Sequence, residues 1–304
     1  MASKKKPAPR KKRSIASPPS RKAHTGRFWR FLRTVCVSAV ASFGAATCAL
    51  HPQWRDYVNI EFVLAQLSLP REEQVASRVL PAGAQVQTHF SRCQQFFPDG
   101  RAPVVPTGHA LRELCFSSFA ILHNGQTKTP VFVAQRLNRQ MLARSKLVQR
   151  TDRFYAEARL PFSDRAELAD YRGSGYSRGH MAPAGDMHSP EAMAQSFSLA
   201  NMVPQDQRHN AGAWNSIEQA TRKYIMRAAG NVYIFTGPVY TGPPETIGDG
   251  GVAVPDYLYK VVYDAVSGRV WVHWQANSPN TKAGPPISYD EFVRRTGLRL
   301  LATG

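Results

Sequence analysis

The first 33 residues of this 304-residue chain contain no aspartate or glutamate. They hold 12 of its 39 Lys and Arg side chains, so the formal charge of +18 divides into +12 for this leader and +6 for everything after it. That division excludes a uniformly cationic domain. A polyanionic partner is allowed by the remaining charge but not demanded by it. The leader MASKKKPAPRKKRSIASPPSRK also has too little apolar surface to order itself. Cysteine is scarce, with four in all, and there is no internal repeat. Nothing reads as a recognition helix, a zinc finger or an RNA-stacking motif, which excludes the usual ways of reading base sequence.

Behind the basic segment, Thr34 to Leu50 gives 17 residues without a charge, at the lower edge of what spans a bilayer. A basic region followed by an apolar run is the pattern of an export signal or a signal anchor, with the positive charge left on the cytoplasmic side. Two other readings stay open: a mitochondrial presequence, since acids are absent and Arg and Ser plentiful, or a basic nucleic-acid tail before a buried helix. Cys36 and Cys48 fall in the apolar run, leaving Cys93 and Cys115 for the domain, either as one disulfide of an exported protein or as two buried thiols.

The expected organisation is a basic disordered segment over 1–33, the signal or anchor over 34–50, a linker helix region over 51–83 and one domain over 84–304. ELCFSSFAILHN and TPVFVAQRLN read as two strands around an Asn124-Gly125 turn. Ser-Pro opens a helix near Pro190, and NAGAWNSIEQATRKYIMRAAG predicts a second helix that stops at Gly230. NVYIFTG is another strand, YLYKVVYDAVSGRVWVHWQAN a hairpin, and SYDEFVRRTGL a closing helix. The class expected is α+β, mainly antiparallel sheet with few helices.

Within that frame, GYSRGHMAPAGDM (175–187) suits neither a helix nor a buried strand. Gly179 would let the backbone approach a neighbour closely or take a positive φ, presenting Arg178 and His180 to a cleft. His180 is the side chain suited to moving protons, and Arg178 to forking onto phosphate. A lone histidine is more often structural. A second cluster, SLANMVPQDQRHNAGAWNSIEQATRKY, carries Asn201, Gln205, Asn210, Glu218 and Arg222. On one helix the last three roughly share a face opposite Trp214, Ile217 and Ile225. Singly, Asn210 reads as an N-cap and Glu218–Arg222 as a solvated i, i+4 pair.

Together, SRGHMAP, LANMVPQ and HNAGAWNSIE in this order and spacing resemble the DNA/RNA non-specific endonuclease family. That family takes in secreted bacterial nucleases and mitochondrial endonuclease G, and has the ββα-metal (His-Me finger) active site. The likeness runs more loosely through TDRFYAEARLP to VYIFTGPVY. It implies His180 as general base, Asn210 as the metal-binding asparagine and Glu218 as the holder of a water in the metal's shell. It further implies Arg178 and Arg222 as phosphate contacts, Arg153 as an upstream arginine and Asn201 as a structural asparagine. Ser177 replaces the family's usual Asp and brings no charge.

The implied activity is hydrolysis of DNA or RNA phosphodiester bonds with little sequence preference, leaving 5′-phosphate ends, with Mg²⁺ or Mn²⁺ as cofactor. Such a metal keeps most of its waters and needs only one or two protein oxygens. The resemblance also carries homodimer formation, and the leader carries membrane attachment. Arg136, Arg139, Arg144, Lys146 and Arg150 would track phosphates or serve solubility. The rival readings are a nucleic-acid-binding module with an inert site, a phosphodiesterase for small nucleotides, and a zinc site from His180, Asp186 and His188.

Overall fold

The computed structural model of the chain describes residues 85–108 and 110–301. The basic segment, the apolar run and the helix region over 51–83 lie outside the described residues, as do Cys36 and Cys48. Among the described residues no helix is long and apolar enough to cross a membrane.

In chain order come strands β1 (Gln85–Gln87), β2 (Val104–Pro106), β3 (Leu111–Cys115), β4 (Ala120–Asn124) and β5 (Thr129–Leu137). Helices α1 (Arg139–Ser145) and α2 (Leu168–Tyr171) precede β6 (Ser177–His180), helix α3 (Pro190–Ser196) and β7 (Met202–Gln205). A short helix α4 (Gln207–His209), a π-helical turn (Asn210–Trp214) and helix α5 (Asn215–Ile225) follow without a break. Strands β8 (Val232–Val239), β9 (Thr246–Ile247), β10 (Val252–Ala253), β11 (Tyr257–Asp264) and β12 (Val270–Ala276) and helix α6 (Tyr289–Thr296) complete the fold.

The class is α+β, built on a six-stranded antiparallel sheet in the order β12-β11-β8-β5-β4-β3. Successive side chains on a strand face opposite ways. So Tyr259 and Val261 of β11 join Phe132, Phe235 and Phe292 in one core. Leu258 points to the other face, against Met181, Val203, Trp214 and Ile217. That second face carries the β6–β7 ribbon and α5.

Two expectations need correction. ELCFSSFAILHN is not one strand but two, β3 and β4, with Cys115 opposite Ala120. The Ser-Ser pair makes the reversal: Ser117 donates from its N and Oγ to Gln195 Oε1 at 2.8 and 2.7 Å, and the Phe116 N–H bonds Phe119 O. Helix α5 stops at Ile225 rather than running to Gly230. Arg139 of α1 donates Nε–H to the Met226 carbonyl at 2.7 Å, which satisfies an end carbonyl that a longer helix would have used. The Asn124-Gly125 turn forms as expected, and Gly125 is required there because a Cβ would lie 2.8 Å from those of Ala110 and Asp164.

Cys93 and Cys115 form a disulfide across 22 positions, next to the first core. Closing a loop of that size stabilises a fold by about 3 kcal/mol in the chain-entropy account. Dithiothreitol, or the C93S/C115S pair, is therefore expected to lower the urea midpoint of unfolding substantially. An unchanged midpoint would contradict this.

Candidate active site

Strand β6 pairs antiparallel with β7, placing His180 opposite Met202 and Gly179 opposite Val203. After β7 the Asp206 carboxylate accepts the N–H groups of Arg208 and His209, each at 2.9 Å, and so starts the helical stretch that becomes α5. Strand β7 and the helical stretch thus follow one another directly, while β6 reaches β7 by way of α3.

Gly179 earns its place by close approach rather than by positive φ. A Cβ there would run into Gln205 Oε1 and lie 2.6 Å from Gln205 Cβ. Arg178 and His180 sit two apart on β6 and so are separated from Gly179 by the pleat, and both touch Phe154. The Arg178 guanidinium lies 4.4 Å from the Phe154 ring centre, and the His180 ring 5.8 Å from it. Phe197 closes the other side of the imidazole at 5.0 Å, edge-on. His180 Nε2 is buried without a hydrogen-bond partner. Burial, followed by the charge of Arg150, pushes the imidazole down to about 3, so it is neutral at pH 7.

Asn201 is fully buried. Its Nδ2 donates to the carbonyls of Ala182 (3.0 Å) and Ser196 (2.8 Å), and its Oδ1 accepts the Ala182 N–H at 2.9 Å. It staples the segment leaving His180 to the end of α3. Asn210 is differently placed. Asp206 supplies the N-cap, so the Asn210 amide is not spent on capping, and it makes no side-chain hydrogen bond among the described residues.

The π-helical turn changes the helix geometry. Eight residues make about 2.2 turns of α-helix. The π turn takes more residues per turn. Asn210 is thereby rotated nearer the face that carries Glu218. An unengaged amide oxygen and a half-buried carboxylate suit a hard cation that retains its waters. Among the described residues no group of three or more His, Cys, Asp and Glu is arranged to hold a metal, and Asp186 of the zinc alternative is engaged elsewhere.

Glu218 is pushed up to about 7, by burial first, with Lys260 pulling the other way. The expected Glu218–Arg222 pair is replaced: Arg222 Nη1 donates to Asp186 Oδ1 at 3.0 Å. Asp186 side-chain exposure is 5% against 26% for Arg222, and burial raises the carboxyl above its usual range. Beneath them Lys260 is buried, its Nζ donating to Thr236 Oγ1 at 2.8 Å. Sequence reading passed over Phe154, Phe197 and Lys260 as site residues. The signal for the last was a lone lysine inside the apolar strand YLYKVVY.

Ser177 pairs with Gln205 in the ribbon and makes no side-chain hydrogen bond among the described residues. Arg153 is exposed next to Phe154, with no ion pair among the described residues. The suggested phosphate-tracking run is not a uniform stripe. Arg139 binds the Met226 carbonyl, and Arg150 pairs with Asp152 at 2.6 Å while lying over Phe197.

The family model of the DNA/RNA non-specific endonuclease matches residues 98–299. The human "Nuclease EXOG, mitochondrial" is 36% identical over 165 residues, 49% of this chain and 43% of that protein. The human "Endonuclease G, mitochondrial" is 31% identical over 188 residues, 58% of this chain and 62% of that one. The chain spans about half the length of the curated relatives it matches. Among solved structures, one chain of an EndoG/EndoGI complex superimposes with a TM-score of 0.59 at 24% identity, covering 70% of this chain and 91% of that one. This last likeness is one of fold.

Proposed function

This chain belongs to the DNA/RNA non-specific endonuclease family, and from that premise we propose that it is a metal-dependent endonuclease. It would cut phosphodiester bonds of DNA or RNA with little sequence preference. The observation that most supports the reading is the packing of the ribbon that carries His180, through Met181 and Val203, against Trp214 and Ile217 of the helical stretch that carries Asn210 and Glu218.

In this reading His180 takes a proton from the attacking water. Its Nε2 is buried, which leaves Nδ1 as the accepting nitrogen. Substrate phosphate beside the ring favours the charged imidazolium, so the base strengthens as substrate arrives. Asn210 would hold Mg²⁺ or Mn²⁺ through its amide oxygen, with Glu218 ordering the surrounding water. The ion supplies Lewis acidity and a template at the phosphate. Arg178, fixed over Phe154, and Arg222 at the rim of α5 neutralise charge on the phosphate oxygens. The exposed Arg153 adds a further contact. Contacts of this kind orient a backbone without reading bases.

For location, the word mitochondrial in the relatives' names favours the presequence reading of the leader over export. The disulfide favours an oxidising compartment.

The test is the product. Cleaved plasmid fragments are expected to be resealed by ligase without prior kinase treatment, because 5′-phosphate and 3′-hydroxyl ends remain. A dinucleotide is expected to be a much poorer substrate than plasmid. Ends that need phosphorylation, or a preference for the dinucleotide, would overturn the reading.

A further inference from the structure

A lysine is almost never fully buried unless it is paired. Lys260 of β11 is only 2% exposed, yet its strand neighbours Tyr259, Val261 and Val262 are apolar core. Across the strands it stands between Thr236 of β8 and His273 of β12. The ammonium is fixed by the Thr236 hydroxyl and lies 5.3 Å from the centre of the Trp214 ring, at the entry to α5. Trp214 lies one turn before Glu218 in that helical stretch and Glu218 one turn before Arg222, which pairs with Asp186 from the turn after β6, so the ammonium sits under the part of the helix that carries these groups. Burial lowers the basicity of the lysine, and Glu218 and Asp186 act against that while Arg222 adds to it. His273, whose own basicity Lys260 helps depress, is kept neutral mainly by burial. Two acids and two bases thus share one cluster, with Lys260 and Asp186 at its buried end and Arg222 at its more open one.

Arg222 is the more exposed of those cations, and in the structure it is committed to Asp186. If it turns to a phosphate, Asp186 and Glu218 keep a charge only if another cation remains below them. Resting on the reading above, we propose that Lys260 is a positioning residue. Its buried ammonium is the standing counter-charge to Asp186 and Glu218, which frees Arg222 to engage the scissile phosphate. Without Lys260, Arg222 is the cluster's sole cation and is held by the carboxylates.

The test is a double-mutant cycle on the full chain with K260M, R222A and the double variant, using supercoiled plasmid with Mg²⁺. Each single variant is expected to lower kcat about 10–100-fold, the scale of one charged hydrogen bond. The double variant is expected to fall no further than R222A alone. A purely structural role predicts that the two losses multiply, and that result would overturn the proposal. Binding of a short single-stranded oligonucleotide in EDTA gives the second readout: K260M should weaken it on the wild-type background but not on R222A. Should K260M fail to fold, T236V, which removes only the hydroxyl holding the ammonium, is expected to show the same coupling at smaller size. If wild-type chain cuts nothing yet the binding cycle is coupled, the nuclease reading fails and the role of Lys260 stands. If cleavage is normal and both cycles are additive, the reverse holds.

Discussion

Replacing His180 by alanine is expected to slow plasmid cleavage by about 10²–10⁴-fold, the usual contribution of a positioned general base. The fold should survive. The imidazole Nε2 has no hydrogen bond to lose, and of the two rings it packs on, Phe154 is itself only half-buried while Phe197 belongs to the second core and keeps its other neighbours. Thermal unfolding within a few degrees of wild type, together with the rate loss, would separate chemistry from collapse. A loss below about tenfold would remove His180 from the mechanism.

The pH dependence follows from which groups titrate. His180, held down to about 3 by burial, does not change charge between pH 5 and 8 in the free protein. Glu218, raised to about 7, does. As pH falls through 7 it gains a proton and loses the negative charge assigned to ordering the metal's water. Activity at limiting Mg²⁺ should therefore fall on the acid side of 7. E218Q should be slow and flat across the same range. If the acid limb persists in E218Q, its source lies elsewhere.

The second large effect is on stability. Asn201→Leu keeps the branched side-chain shape but strands the Ala182 N–H and the carbonyls of Ala182 and Ser196. Each unsatisfied buried backbone group costs about 1–3 kcal/mol, so the three together are expected to cost at least about 3 kcal/mol in urea unfolding. The Met181 N–H also bonds the Asn201 carbonyl at 2.9 Å, which ties the residue after His180 to the same point. Activity should fall with stability. A loss under 1 kcal/mol would mean that Asn201 is not the staple described here.

Much of this was legible because it is written locally. The Asn124-Gly125 turn, the start of α3 at Pro190 and the αL end of α6 at Gly297 are short-range chemistry. So was the need for Gly179, although only the structure shows that Gln205 is what crowds it. Three features resisted sequence reading for physical reasons. Helical spacing gave Arg222 the partner four residues back, whereas the ion pair joins it to Asp186, 36 residues away. The π-helical turn has no compositional signature, yet it decides how Asn210 and Glu218 align. Lys260 was passed over inside the YLYKVVY strand because the groups near it come from a neighbouring strand and a helix distant in sequence.

In the proposed function this site cuts phosphodiester bonds with the help of a divalent ion. The most direct measurement is nicking of supercoiled plasmid by the purified full chain in Mg²⁺ and, in parallel, in EDTA, with binding followed by gel shift. Cleavage in Mg²⁺, none in EDTA, and binding in both are expected. Plasmid that is shifted but left whole in Mg²⁺ would contradict the proposed function and leave a protein that binds nucleic acid without cutting it.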